Sequence, residues 1–132
     1  MEGTNARYVE RLPEPVSLVT VDVSFISLKV ILPVVRGWFG SGSGEVVALI
    51  KPQFEAGKRQ TSRGKGVIRD PAVHRQVILD VLTFAQGTGY SFGGVIRSPL
   101  LGPKGNAEFL AHLAYPGGEM QDLEPYLINI DL

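Results

Sequence analysis

Apolar runs separated by turn-forming residues predict the framework of this chain. Residues Val16 to Ile26 are rich in β-branched side chains and follow Pro15, which predicts a first strand. Glu45 to Ile50 form a second run that is apolar almost throughout, a pattern typical of a parallel strand covered on both faces. The second run stops at once on Lys51 and Pro52. The lysine is therefore either a solubilising strand end or a placed functional group.

Two segments have the periodicity and the capping residues of helices. Ser27 is a candidate N-cap for an apolar helix, which Pro33 is expected either to kink or to delay in its start. Asp70 can cap a second helix, with Pro71 at its first position and an apolar stripe after it. The stretch from Lys51 to Arg69 has no period and is expected to form a long basic loop.

Two more strands are predicted at residues 90–97 and 107–116, with Phe109, Ala111 and Leu113 on one face of the second. Alternating strands and helices predict an open α/β sheet that is mostly parallel. The short connection between the last two strands favours an antiparallel hairpin at one edge. The tail after Pro116 predicts a short helix at most.

Composition narrows the classes of protein to which the chain can belong. Its 132 residues suit one domain, and 13 basic residues balance 13 acidic ones, so net charge favours no particular partner. The absence of cysteine excludes disulfides and thiolate sites. No apolar run reaches the roughly 18 residues of a membrane span, and the first residues have no apolar signal core. We expect a cytoplasmic protein.

Three polar residues are expected to meet at one edge of the sheet. Asp22 lies near the end of the first strand, Lys51 follows the second, and Glu108 begins the last, antiparallel strand. Ligands of open α/β sheets bind at the carboxyl ends of the parallel strands. A lysine between carboxylates there could orient or deprotonate a hydroxyl. Alternatively, Lys51 is a strand-end cap, Asp22 a buried turn acceptor and Glu108 an exposed edge residue.

Other candidate residues carry weaker signals. The basic residues of the long loop are either solvated or phosphate contacts: Lys58, Arg59, Arg63, Lys65 and Arg69. His74 and His112 have no partner at metal-ligand spacing, so we expect no metal site and interpret both as structural or surface residues. Phosphate-loop and dinucleotide-binding motifs are absent from the sequence.

Five motifs occur in order and resemble one known family. They are "TNAR", "VDVSFISLKVILP", "LIKPQFEAGK", "GVIRDPAVH" and "SPLLGPKGNAEFL". The chain from about Met1 to about Leu113 is thereby similar to the C-terminal half of the hemolysin-A type, FtsJ-like ribosomal RNA 2′-O-methyltransferases. The resemblance implies a partial class I (Rossmann-like) methyltransferase sheet, S-adenosylmethionine as cofactor and ribosomal RNA as partner.

The resemblance also implies roles for individual residues. The family's catalytic residues are a Lys–Asp–Lys–Glu tetrad, and the matching motifs assign its last three members to Asp22, Lys51 and Glu108. Asn5 and Ala6 match the adenine-side loop of the cofactor site, to which Asp22 also belongs. RNA binding is the role that the resemblance favours for four basic loop residues: Lys58, Arg59, Arg63 and Lys65.

The chain departs from the family pattern before "TNAR". The family's S4-type RNA-binding domain, glycine-rich cofactor loop and first tetrad lysine have no counterpart here. We therefore expect residues 1–132 to be the C-terminal portion of one methyltransferase domain, inactive alone and unable to bind S-adenosylmethionine. The alternative is a non-catalytic RNA- or partner-binding module. Because a missing half would expose Val16 to Ile26 or the apolar surface beside it, we also expect a homodimer there.

Overall fold

The computed structural model describes residues 16–40, 42–57, 64–128 and 130–132. Its sheet has the strand order β1–β2–β4–β3, formed by Leu18–Val21 (β1), Gly44–Ile50 (β2), Ser91–Arg97 (β3) and Phe109–Tyr115 (β4). β1 and β2 pair in parallel, and β4 pairs antiparallel with both β2 and β3. The predicted α/β class and the antiparallel C-terminal hairpin are confirmed. One of the three described pairings is parallel, so this part of the sheet is mixed.

Four helices accompany the sheet in the described ranges: Leu28–Val35 (α1), Pro52–Glu55 (α2), Pro71–Gly87 (α3) and Glu124–Leu127 (α4). Short 3₁₀ turns follow α1 at Arg36–Phe39 and precede β4 at Pro103–Gly105. None of these helices is both long and apolar enough to cross a membrane.

The first strand is shorter than its apolar run predicts. β1 ends at Val21, and the next residues form a loop in which Phe25 has a left-handed φ of 65°, a conformation that no strand contains. The N-cap prediction is confirmed, because the Ser27 hydroxyl accepts a hydrogen bond from the backbone N–H of Lys29. α1 starts at Leu28 and includes Pro33, so a start near the proline is wrong.

β2 buries one face and only partly covers the other. Gly44, Val46, Ala48 and Ile50 are buried, whereas the alternating residues of the strand, Glu45, Val47 and Leu49, are exposed or half-buried. The predicted cover on both faces is therefore wrong within the described residues. Hydrophobic alternation was hidden because valine and leucine also occupy the half-buried face.

Lys51 ends β2 because it begins the next helix. Its carbonyl oxygen accepts hydrogen bonds from the N–H groups of Phe54 and Glu55, at 2.9 and 3.1 Å. Pro52 stands at the first helical position, where it needs no N–H partner. The predicted long loop thus starts with one helical turn, α2, which fixes the backbone of Lys51 on both sides.

α3 follows its sequence signals closely. The Asp70 carboxylate accepts a hydrogen bond of 2.9 Å from the N–H of Ala72, which confirms the predicted cap. His74 is buried on the inner side of the helix, with its ring nitrogens 2.7 Å from the Ile68 carbonyl oxygen and 2.9 Å from that of Leu132. His74 is therefore a structural residue rather than a surface residue, which is one of the two interpretations that the sequence left open.

The tail packs against α3. Leu123 and Leu127 are buried in the main core. Gln121 and Gln86 exchange hydrogen bonds, since the N–H of Gln121 donates to the Gln86 side chain at 2.7 Å and the Gln86 amide donates back at 3.3 Å. The sequence predicted only a short helix here, and α4 confirms it.

Glu55 links α2 to the start of α1. One carboxylate oxygen accepts a hydrogen bond of 2.6 Å from the Ser27 hydroxyl, and the other accepts one of 2.8 Å from the N–H of Leu28. Burial raises the pKa of Glu55, and the two hydrogen bonds and the charge of Lys29 oppose that shift. Glu55 also lines a cleft of about 300 Å³ between α2 and α3, and Asp80 lines it from α3.

This carboxyl group predicts a pH dependence of stability. Because its pKa is raised above the ordinary value of 4.5 in the folded chain, the folded state holds the proton more tightly than the unfolded state. Its contribution to the free energy of unfolding is full below pH 4.5 and declines as pH rises through the raised pKa. Denaturant unfolding from pH 4 to 8 should show this decline in the wild type and a flatter profile in Glu55→Gln.

The exposed Glu119 provides the matched control. Glu119→Gln should keep the wild-type pH profile of stability, because its carboxyl group lies in water. A Glu55→Gln chain with an unchanged profile would contradict the prediction.

Candidate active site

Asp22, Lys51 and Glu108 lie at one edge of the sheet. Asp22 directly follows β1 and Lys51 directly follows β2. Glu108 directly precedes β4, so it stands one residue before the strand that it was expected to begin. The antiparallel register pairs Ile50 with Phe109, which makes Lys51 and Glu108 the next positions facing each other. Three segments distant in sequence thus deliver their polar side chains to the same edge.

Each of the three residues is adjacent in sequence to a buried residue at the end of a strand. Their strand neighbours Val21, Ile50 and Phe109 are all buried in the core. Successive side chains of an extended chain point to opposite faces, and Lys51 is extended, with φ −115° and ψ 99°. Lys51 therefore projects away from the core, from a backbone that the core holds in position.

Lys51 is buried and paired. Only 8% of the residue is exposed, and its ammonium nitrogen lies 2.5 Å from a carboxylate oxygen of Asp22. It also donates a hydrogen bond of 3.1 Å to the hydroxyl of Ser24. The loop between β1 and α1 supplies both partners, and the Asp22 side chain is 70% exposed. The pair therefore lies at the boundary between protein and solvent.

Glu108 is buried beside Lys51 but bonded elsewhere. It is 6% exposed, and one of its oxygens accepts a hydrogen bond of 2.8 Å from the side-chain amide of Gln53. Among the described ion pairs, Lys51 has Asp22 as its carboxylate partner rather than Glu108. The two carboxylates thus have different partners, one a charged amine and the other a neutral amide.

An exposed aromatic residue stands at the same edge. Phe25 is 89% exposed, and its ring packs against that of Phe54 with 4.8 Å between the centroids. The ammonium nitrogen of Lys51 lies 6.0 Å from the centroid of the Phe54 ring. A left-handed backbone is costly for phenylalanine, and such outliers cluster at functional sites. Sequence reasoning missed Phe25 because the apolar run assigned it to a strand.

Two lysines lie on adjoining loops before α3 and β4. Lys65 and Lys104 are exposed and both have positive φ, and the ammonium group of Lys104 donates to the carbonyl oxygen of Lys65 at 3.1 Å. The buried side chain of Asn106 joins the loops, with bonds of 2.9 Å to the N–H of Ile68 and to the carbonyl oxygen of Gly66. Lys65 is thus a described member of the predicted RNA-binding set.

Several predicted residues lie outside the described ranges. These are Asn5, Ala6, Lys58, Arg59 and Arg63. Among the described candidates, His112 lies on the exposed side of β4, with its ring 2.9 Å from a carboxylate oxygen of Glu45.

The arrangement suits chemistry on a hydroxyl group. Lys51 has three N–H donors, and Asp22 and Ser24 are the partners of two of them among the described residues, so a third donor can hold a substrate oxygen. A buried carboxylate stands at the facing position of the sheet. An exposed aromatic ring beside such a lysine can stack on the flat face of a base. The described residues of this edge therefore combine a donor for an oxygen atom, a buried carboxylate and an exposed flat ring.

Residues 1–115 match the family model of the FtsJ-like methyltransferases. Among curated proteins, the chain is 46% identical over 123 residues to YqxC of Bacillus subtilis, which is named as a candidate rRNA methyltransferase. It is 44% identical over 115 residues to TlyA of Mycobacterium tuberculosis, named a 16S/23S rRNA (cytidine-2′-O)-methyltransferase. These matches cover 89% and 86% of the chain but 42% of each relative, so the chain spans less than half their length.

Solved structures agree with this relationship. A candidate hemolysin from Lactococcus lactis superimposes with a TM-score of 0.83 at 42% identity, covering 96% of this chain and 63% of that one. A candidate hemolysin from Streptococcus thermophilus gives a TM-score of 0.85 at 41% identity, covering 94% of this chain and 45% of the other.

Proposed function

Because the chain belongs to the FtsJ-like methyltransferase family, we propose that it forms the C-terminal portion of an rRNA 2′-O-methyltransferase domain and carries three of its catalytic residues. The proposed reaction transfers a methyl group to the 2′-hydroxyl of a ribose in ribosomal RNA. The observation that carries the proposal is the buried Lys51 ammonium, held 2.5 Å from Asp22 at the carboxyl ends of β1 and β2.

Lys51 would bind and orient the ribose hydroxyl. Its contacts with Asp22 and Ser24 restrict where the ammonium nitrogen can lie, so its remaining N–H group has a restricted direction. An oriented hydroxyl needs less reorganisation to reach the transition state, which is where positioning lowers a barrier. Glu108, at the facing position, would accept a hydrogen bond from the same nucleotide or take up its proton.

S-adenosylmethionine would supply an electrophilic methyl group on a sulfonium ion. Of the described residues, Asp22 fits this donor best, because its carboxylate is 70% exposed and suits a cationic ligand. The other proposed contacts, Asn5 and Ala6, lie outside the described residues. The described part of the chain therefore fits one side of the cofactor only.

The chain alone is expected to show no micromolar affinity for S-adenosylmethionine. Asp22 is the proposed cofactor contact among the described residues, and one exposed carboxylate does not supply the contacts that adenine and ribose need. Isothermal calorimetry on the 132-residue chain measures this directly. A dissociation constant in the micromolar range would overturn the prediction.

A chimera tests the function itself. In it, this chain replaces the segment of the Bacillus subtilis relative that it matches, which leaves the rest of that relative in place. The chimera should methylate ribosomal RNA from a strain that lacks the relative's activity, with S-adenosylmethionine as donor. A folded chimera without transfer would refute the proposal, and RNA binding without transfer would favour the non-catalytic module instead.

The proposed function also gives a role to the basic loop residues. Lys58, Arg59, Arg63 and Lys65 would contact RNA phosphates, and a cytoplasmic location fits a ribosomal substrate. Homodimerisation stays a prediction, based on β1 as the edge of the described sheet with Leu18 exposed.

A further inference from the structure

The Glu108 carboxylate is held by a neutral partner, Gln53, in the helix that follows β2. Gln53 donates to it at 2.8 Å, and both residues are 6% exposed. A buried carboxylate loses its hydration, so it needs a donor inside the protein. Gln53 stands two residues after Lys51, in the first turn of α2, which connects the amide directly to the backbone that positions the lysine.

Gly102 leaves the space in which this carboxylate lies. A Cβ atom at residue 102 would overlap with both the carboxylate carbon and an oxygen of Glu108. The backbone of Gly102, with φ −80°, is open to any residue, so the requirement for glycine comes from the side chain beside it. Its N–H donates to the carbonyl oxygen of Asn106 at 2.7 Å, which fixes the loop against Glu108.

The sheet register shows why a partner for the Glu108 carboxylate affects Lys51. Lys51 and Glu108 face each other as the next pair beyond Ile50 and Phe109, and opposite residues have Cβ atoms about 5 Å apart. A free carboxylate at that distance would turn to the nearest ammonium group. The amide of Gln53 holds the carboxylate instead, so Lys51 stays with Asp22 and Ser24.

We propose that Gln53 is a positioning residue: together with Gly102 it holds the Glu108 carboxylate apart from Lys51, so that the two groups act on the substrate rather than on each other. The inference rests on the proposed function and deepens it by one residue. Gln53 touches neither substrate nor cofactor in this scheme, and its effect on the reaction passes through Glu108.

A double-mutant cycle in the chimera tests the inference. Gln53→Met keeps the side-chain volume but removes the donor, and it should lower kcat about tenfold, since displaced catalytic groups lose rate steeply. The KM for RNA should stay within about twofold, because a positioning effect on Glu108 appears in the chemical step. In a Glu108→Gln background, Gln53→Met should cause no further loss, because the two residues act as one unit.

Gln86 provides the matched control. It is another buried glutamine that bonds across elements, but its partner is Gln121 on the tail. Gln86→Met should lower stability without changing kcat. Wild-type kcat in Gln53→Met, or losses that multiply with Glu108→Gln, would overturn the inference.

Stability of the 132-residue chain separates this inference from the function. Gln53→Met and Glu108→Gln should show coupled rather than additive losses of unfolding free energy in chemical denaturation. Coupling in the chain together with an inactive wild-type chimera would refute the proposed function and leave the contact intact. Additive losses would refute the contact whatever the activity.

Discussion

Replacing Lys51 with alanine should lower methyl transfer by the chimera roughly 10²-fold, the loss that a misplacement of a reacting group by about 1 Å can cause. The loss should appear in kcat, because the ammonium group is expected to orient the hydroxyl during the chemical step. Folding should survive the change, since the partner left behind, Asp22, has a side chain that is 70% exposed and stays hydrated. Transfer of labelled methyl groups to RNA, with circular dichroism for the fold, measures both effects.

Lys29 is the matched control for this substitution. Its side chain is exposed on the first turn of α1. Lys29→Ala removes the same charge from the molecule and should leave the transfer rate within about twofold of the wild type. A Lys51→Ala chimera that retains activity would remove Lys51 from the proposed mechanism.

Phe25→Ala should weaken RNA binding by the chimera roughly 5- to 150-fold. Stacking of one base on an aromatic side chain contributes about 1–3 kcal/mol, which corresponds to that range of affinity. The ring is 89% exposed and braced by Phe54, so it offers a face to a base without first having to be ordered. Filter binding or fluorescence anisotropy with a fragment of ribosomal RNA measures the change.

Two further variants identify stacking as the cause. Phe25→Tyr keeps the aromatic face and should bind RNA nearly as tightly as the wild type. Ile96→Ala removes an exposed apolar side chain of β3 and should not alter RNA affinity. Equal losses in the tyrosine and alanine variants would show that the ring face is not what RNA contacts.

Local sequence signals predicted the starts of α1 and α3. Ser27 and Asp70 cap the helices that they were expected to cap, because a hydroxyl or carboxylate before an apolar stripe satisfies the first N–H groups. The contact of Lys51 with Asp22 followed from fold logic, since the carboxyl ends of neighbouring parallel strands meet.

Features that depend on distant residues were not predictable in this way. β1 ends at Val21 although apolar residues recur as far as Ile26, and Phe25 takes a left-handed backbone and packs on Phe54 in another segment. In the sequence, Gln53 has no feature that separates it from other loop residues. Its proposed role depends on its hydrogen bond to Glu108, 55 residues further along the chain. The periodicity of apolar residues indicates which side chains of one segment are buried. It gives no information about contacts with distant segments.

Because β4 lies between β2 and β3, the order in which the chain is synthesised affects when the sheet can assemble. A ribosome releases β2 and Lys51 long before Glu108, and the pairing that brings them together has a sequence separation large enough to slow folding. Until β4 emerges, β2 has a vacant edge and the lysine has no facing carboxylate. Completion of this edge of the sheet therefore waits until the segment that carries Glu108 and β4 has been synthesised.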